Sequence, residues 1–202
     1  MVEWPLDGAL ILRNTTGFAL ALTIGATLGL GLTWFSLRDG PISGAVDIGP
    51  WRTWPGLGYS EADPYGRAHL ARTGDLPLGA GEGIAFFASR DSSGAPLEGA
   101  CRYTIAPIAP TARWWSLAAY AANRRPTPNA AERLSFTSAE VTRDSSGQAT
   151  VVTGPTAQPG DWLPTSSGRI RFVLHLYDTP LATGVGSRQG MDLPTIKAEG
   201  CE

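Results

Sequence analysis

Among side chains able to carry chemistry, this sequence offers two histidines, two cysteines and scattered carboxylates. Neither His69 nor His175 has another His or Cys at metal-ligand spacing, so a zinc site has no pattern to rest on. There is no G-x-S-x-G elbow and no glycine-rich phosphate loop followed by Lys, which leaves serine hydrolysis without a motif. Acid/base work on a sugar needs a pair of carboxylates, and Glu61, Asp63, Glu82 and Asp161 are the candidates. Three of them have a plainer duty available, since Glu61 and Asp63 suit a helix start and Asp161 suits a turn. The polar group Asp63, Tyr65, Arg67 and His69 forms a candidate surface site, which a solvated helix face explains equally well. No catalytic residue, metal site or cofactor is assigned.

The tryptophans are the other candidate ligand contacts. Trp114, Trp115 and Trp162 would stack on a ring, but adjacent strand positions point to opposite faces, so one of Trp114 and Trp115 must enter a core.

The elements that must hold these residues begin with an uncharged, proline-free stretch from Gly17 to Leu37. As a helix it would be roughly 31 Å long, matching a hydrocarbon core of ~30 Å, so it reads as one membrane span. A cleaved signal peptide is the rival, because Ser43-Gly44-Ala45 offers a small-x-small site. The apolar run is too long for an h-region, and Glu3 and Asp7 dilute Arg13 where an n-region should be basic. Within the span Gly17, Ala21, Gly25, Gly29 and Thr33 form a ridge of small side chains, with Ala19, Thr23, Thr27 and Gly31 roughly opposite. Such rows permit close backbone approach, the basis of helix association in lipid, so the expected partners are transmembrane helices of a larger complex and membrane lipid. Trp34 and Phe35 are placed to anchor at the headgroup level.

Charge hardly orients the span. Cys101 and Cys201 contribute a second argument: an even, sparse pair in an exported domain reads as a disulfide, with two unrelated thiols as the alternative. A loop of about a hundred residues closed in this way is stabilised by up to ~4.7 kcal/mol in the chain-entropy model. The expected location is the bacterial inner membrane, amino terminus cytoplasmic and carboxyl domain periplasmic. The net charge of −2 and a single lysine, Lys197, provide no polybasic footprint, so nucleic acid is not an expected partner.

Beyond the span, Ile42 to Pro55 suggests an extended segment, and Ser60 with Pro64 suggests a capped helix running to Arg72 and stopping at Gly74. Short stretches rich in aromatic or β-branched residues follow: 83–89, 99–106, 113–120, 134–138, 149–154 and 169–177. In the last, Ile170, Phe172, Leu174 and Leu176 share one face, with Arg169, Arg171, His175 and Tyr177 opposite. Arg90-Asp91-Ser92-Ser93-Gly94 and Arg143-Asp144-Ser145-Ser146-Gly147 read as one hairpin solution used twice, with Gly at positive φ. The expected fold is mainly β: an antiparallel β-sandwich or jelly-roll-like domain with one or two short helices, behind a single N-terminal transmembrane helix. The expected divisions are a cytoplasmic lead-in (1–16), a transmembrane helix (17–37), a linker (38–50) and a periplasmic β-sandwich (51–202).

Several spaced motifs, Glu61 to His69 (EADPYGRAH), Gly81-Glu82-Gly83, Arg113-Trp114-Trp115-Ser116-Leu117, Asp161-Trp162-Leu163-Pro164 and Leu174-His175-Leu176-Tyr177, resemble the bacterial envelope proteins of the domain of unknown function 1214 family. The resemblance runs from about Trp51 onward, matches the single-pass type, and implies a β-sandwich and an envelope location without an activity. Function is therefore expected first as a non-catalytic accessory or assembly subunit, its helix packed against a respiratory or photosynthetic membrane complex. A tethered periplasmic binding module for a glycan, lipid or envelope protein comes second, and a carboxylate-based hydrolase third.

Overall fold

A computed structural model describes residues 8–38, 44–59, 62–75, 77–127, 129, 131–184 and 192–201. The chain divides between residues 41 and 42 into two units.

The first unit is one helix, α1 (Gly8–Arg38). Thr15–Phe35 within it is long and apolar enough to cross a membrane, and residues 8–13, read as part of the lead-in, continue the same helix. Thr23 Oγ1 donates to Ala19 O at 2.8 Å and Thr27 Oγ1 to Thr23 O at 2.7 Å, so both hydroxyls are satisfied inside the helix, as an apolar surround requires. A Cβ added at Gly17, Gly25 or Gly29 would meet no atom within 4 Å, so these positions are open notches. Glu3 and Asp7 lie outside the described residues.

The second unit is two facing β-sheets. Its strands are β1 (Val46–Ile48), β2 (Trp51–Thr53), β3 (Gly83–Ala88), β4 (Cys101–Ile108), β5 (Trp114–Ala121), β6 (Ser135–Thr137), β7 (Ala149–Gly154), β8 (Asp161–Pro164), β9 (Ile170–Tyr177) and β10 (Thr195–Cys201). One sheet has the order β1-β2-β3-β9-β5-β6, the other β10-β4-β7-β8. Pairing is antiparallel except for β8, which runs parallel to β7, so the smaller sheet is mixed where an antiparallel one was expected. The stretch read as linker already contains β1, whose Val46 and Ile48 pack against the core. The segment expected to be extended is instead a hairpin, reversing at Gly49 with φ +57.

The core lies between the sheets. Phe86, Leu117, Phe172 and Leu174 enter from the larger sheet and Ile105, Val151, Leu163 and Ile196 from the smaller, all fully buried. Tyr103 and Phe172 meet edge-on across the gap, centroids 6.2 Å apart. Trp115 is in the core while Trp114 lies on the outer face, its ring 4.9 Å from that of Tyr177. On β9 the alternation is as read, but Val173 on the outer face is buried as well, so that face is covered in part.

The smaller sheet is closed by β10, whose Cys201 pairs with Cys101 of β4, the two sulfurs at bonding distance. Trp51 Nε1 donates to Pro194 O at 2.7 Å, linking this end of the chain to the first hairpin. Both RDSSG turns share one geometry. Asp91 Oδ1 accepts from Ser93 N, Ser93 Oγ and Ala95 N, and Asp144 Oδ1 from Ser146 N, Ser146 Oγ and Gln148 N. The glycines at their ends have φ +91 and +79.

Candidate functional site: a cavity on the outer face of the larger sheet

Between β2 and β3 the chain makes an excursion over the outer face of the larger sheet. It contains a 3-10 turn, Pro55–Gly58, and the helix α2 (Pro64–Thr73). Asp63 caps α2 by accepting from Tyr65 N and Gly66 N at 2.9 and 3.0 Å, and Gly74 at φ +66 ends it. The expected cap Ser60 and the carboxylate Glu61 lie outside the described residues. Ala80 N donates to Gly58 O, folding the excursion back on itself.

Under this excursion lies a cavity of about 640 Å³, walled by Trp54, Leu70, Ala85 and Phe87 together with Arg124 and Arg171. Its size is that of a small-molecule site. Asp75, just after α2, pins the excursion to the sheet. It accepts from Arg124 Nη1 at 2.6 Å and from Arg171 Nη2 at 3.3 Å. Arg124 holds φ +64, a region rare for a side-chain-bearing residue, in the turn after β5. Its neighbours define that turn, with Ala121 N donating to Arg125 O and Arg124 N to Ala121 O. The Arg171 guanidinium lies 5.5 Å from the ring centre of Phe87 and 5.8 Å from that of Tyr120. Two N–H groups of the wall residues, Trp54 Nε1 and Arg171 Nε, are buried without an acceptor among the described residues.

Electrostatics in the cavity is biased. Burial, reinforced by the positive charges of Arg124, Arg72 and Arg171, lowers the pKa of the His69 imidazole despite the opposing pull of Asp75. At neutral pH His69 is therefore an uncharged donor and acceptor on the wall.

Of the four residues read as a candidate surface site, only His69 lines this cavity. Asp63 is engaged as the helix cap, while Tyr65 and Arg67 are exposed. The candidate acids are dispersed: Asp161 Oδ2 accepts from Thr142 N at 2.7 Å, and Glu82 is exposed in the turn before β3. No group of three or more metal-ligating side chains occurs among the described residues. Sequence reading missed Trp54, Asp75 and Arg124. Arg171 was placed correctly on the outer face of β9, and adjacent Arg124 and Arg125 before a proline were the available signal for the turn.

Residues 82–181 match the family model described as Protein of unknown function (DUF1214). This chain belongs to the DUF1214 family. The match takes in Phe87, Arg124 and Arg171, whereas Trp54, His69 and Asp75 precede it, so the cavity is built by the DUF1214 sheet and the excursion laid over it. The motif EADPYGRAH likewise precedes the matched residues. The VPA0106 protein from Vibrio parahaemolyticus, solved by crystallography, is similar at 22% identity with a TM-score of 0.57, over 69% of this DUF1214 chain and 36% of that one. An uncharacterized protein from Burkholderia cenocepacia is similar at 14% identity with a TM-score of 0.37, over 87% and 51% of the two chains. The DUF1214 chain thus spans about a third of the Vibrio protein and half of the Burkholderia one, and the Vibrio likeness supports the fold alone. No curated relative matches it.

Proposed function

We propose that this chain is a non-catalytic, single-pass protein of the bacterial inner membrane whose β-domain, on the periplasmic side, is a tethered module that takes a small ligand into the outer-face cavity. One observation carries the reading: a 640 Å³ cavity in which Arg124 and Arg171 share the carboxylate of Asp75 beside the rings of Phe87 and Trp54. A concave, largely apolar wall carrying a few placed polar groups is the usual form of a small-molecule site. The Cys101–Cys201 pair suits an oxidising compartment, which supports the periplasmic side. The test is native mass spectrometry of the full chain released from mild detergent, alongside Ala85→Trp, which fills the cavity from β3. A small molecule retained by the wild-type chain and absent from Ala85→Trp is the expected result; identical spectra would sink the reading.

The accessory-subunit reading stands second, supported by the open notches at Gly17, Gly25 and Gly29. Extraction in mild detergent, followed by identification of what co-migrates, tests it. Elution of the chain alone, unchanged by Gly25→Leu with Gly29→Leu, would count against it.

A further inference from the structure

Four arginines and three aspartates line the cavity among the described residues, and how they are engaged determines where the surplus charge lies. Arg52 and Asp47 neutralise each other, Nε to Oδ1 at 2.6 Å and Nη2 to Oδ2 at 2.9 Å. Asp91 is occupied in its own turn, where Arg90 Nη1 also donates to Gly94 O. That leaves Asp75 as the one carboxylate shared by Arg124 and Arg171. Both guanidinium groups are largely withdrawn from water, with side-chain exposures of 32% and 21%, so solvent screens their surplus poorly. Apolar surface lies beside them: the Phe87 ring faces Arg171 on one side and sits 5.7 Å from the Trp54 ring on the other.

Resting on the cavity reading above, we infer that the ligand is a singly charged organic oxyanion, its charged end at Arg124 and Arg171 and its flat or apolar body against Phe87 and Trp54. One negative charge neutralises the shared pair, and Arg presents a planar fork suited to an oxyanion. Asp75 is then a competitor for the same two guanidinium groups: it holds the pocket's shape and sets how tightly a second anion can bind. A carboxylate and a phosphodiester both meet this description.

The experiment is calorimetric titration of the full chain in maltoside micelles. The probes are 2-naphthoate, 2-naphthyl methyl phosphate, 2-naphthylmethanol and 2-naphthylmethylammonium, and Ala85→Trp is titrated in parallel to subtract partitioning into detergent. At least one of the two oxyanions should bind 10-fold or more tightly than the alcohol, with the ammonium weakest; the tighter oxyanion identifies the headgroup class. Arg171→Gln and Arg124→Gln should each weaken oxyanion binding about 10-fold and leave the alcohol within 2-fold. Asp75→Asn should tighten oxyanion binding about 3-fold, whereas a purely structural role for Asp75 predicts weakening. If the alcohol or the ammonium binds as tightly as the oxyanions, or if Asp75→Asn weakens them, the inference is overturned while the cavity remains a binding site. If no probe binds the wild-type chain more tightly than Ala85→Trp, both readings fall.

Discussion

Asp75 Oδ2 accepts from Arg124 Nη1 at 2.6 Å, joining the turn after α2 to the turn after β5 across 49 residues of chain. This contact, with the longer one to Arg171, fixes the excursion over the sheet and therefore the depth of the cavity. Truncating the carboxylate leaves two guanidinium groups, both largely withdrawn from water, without their shared counter-charge. Asp75→Ala should lower stability by about 1–3 kcal/mol, read as a fall in the denaturant midpoint with the slope unchanged.

The twin RDSSG turns provide an internal control, because Asp91 is 5% exposed while Asp144 is on the surface. Burial pushes the Asp91 carboxyl up, but the Ser93 hydroxyl and the amides of Ala95, Ser93 and Gly94 together hold it below the ordinary carboxylate range. A depressed carboxylate stabilises the fold above the unfolded value of ~3.9, and that contribution is lost as pH falls through the folded value. Asp91→Asn should therefore melt below the wild type at pH 7, with the gap closing below about pH 4. The same change at Asp144 should cost markedly less at pH 7.

His175 also loses stability on acidification, but through burial of its neutral form rather than through hydrogen bonds to a charged one. Burial lowers the pKa of its imidazole, as it does for His69, so the unfolded chain takes up protons first as the solution is acidified. Stability is full above the unfolded value of ~6.5 and falls as pH drops through it. Denaturant titrations at pH 7.5 and 5.5 should show that loss, and the double change His69→Gln with His175→Gln should flatten it. An equal slope in the double variant would assign the loss to other groups.

Glycines in the two units should behave oppositely. A Cβ on Gly99 would overlap the Ser166 carbonyl, where Thr165 Oγ1 also donates to Gly99 O and Gly99 N to Gly168 O. Gly99→Ala should cost roughly 4 kcal/mol or more, among the largest single-residue effects. A Cβ on Gly29 meets nothing within 4 Å, and Gly29→Leu should leave the thermal unfolding of the β-unit unchanged.

What the sequence disclosed follows where the energy is local. β9 was readable because alternation suffices when one face is buried, and Gly74 was readable because only a left-handed position ends α2 there. β8 was hidden by Asp161 and Pro164, turn residues that an edge strand tolerates. β10 was hidden because, as an edge strand, it buries only Ile196. The site was harder still: Asp75, Arg124 and Arg171 come from two turns and a strand, and their grouping depends on tertiary pairing that no local spacing encodes. Asp63, which caps α2, and His69, within that helix, instead proved to have separate tasks.

Because β10 supplies Ile196 to the interior, exchanges hydrogen bonds with Ser92, and sets Cys201 beside Cys101, the smaller sheet lacks its outer strand until residue 201 has been made. During synthesis or export the apolar side of β4 must therefore wait, unsealed, for a partner about a hundred residues downstream. Maturation of this domain is thus bound to translation past residue 201, and a chain stalled before it would present a sticky half-built wall to chaperones and proteases.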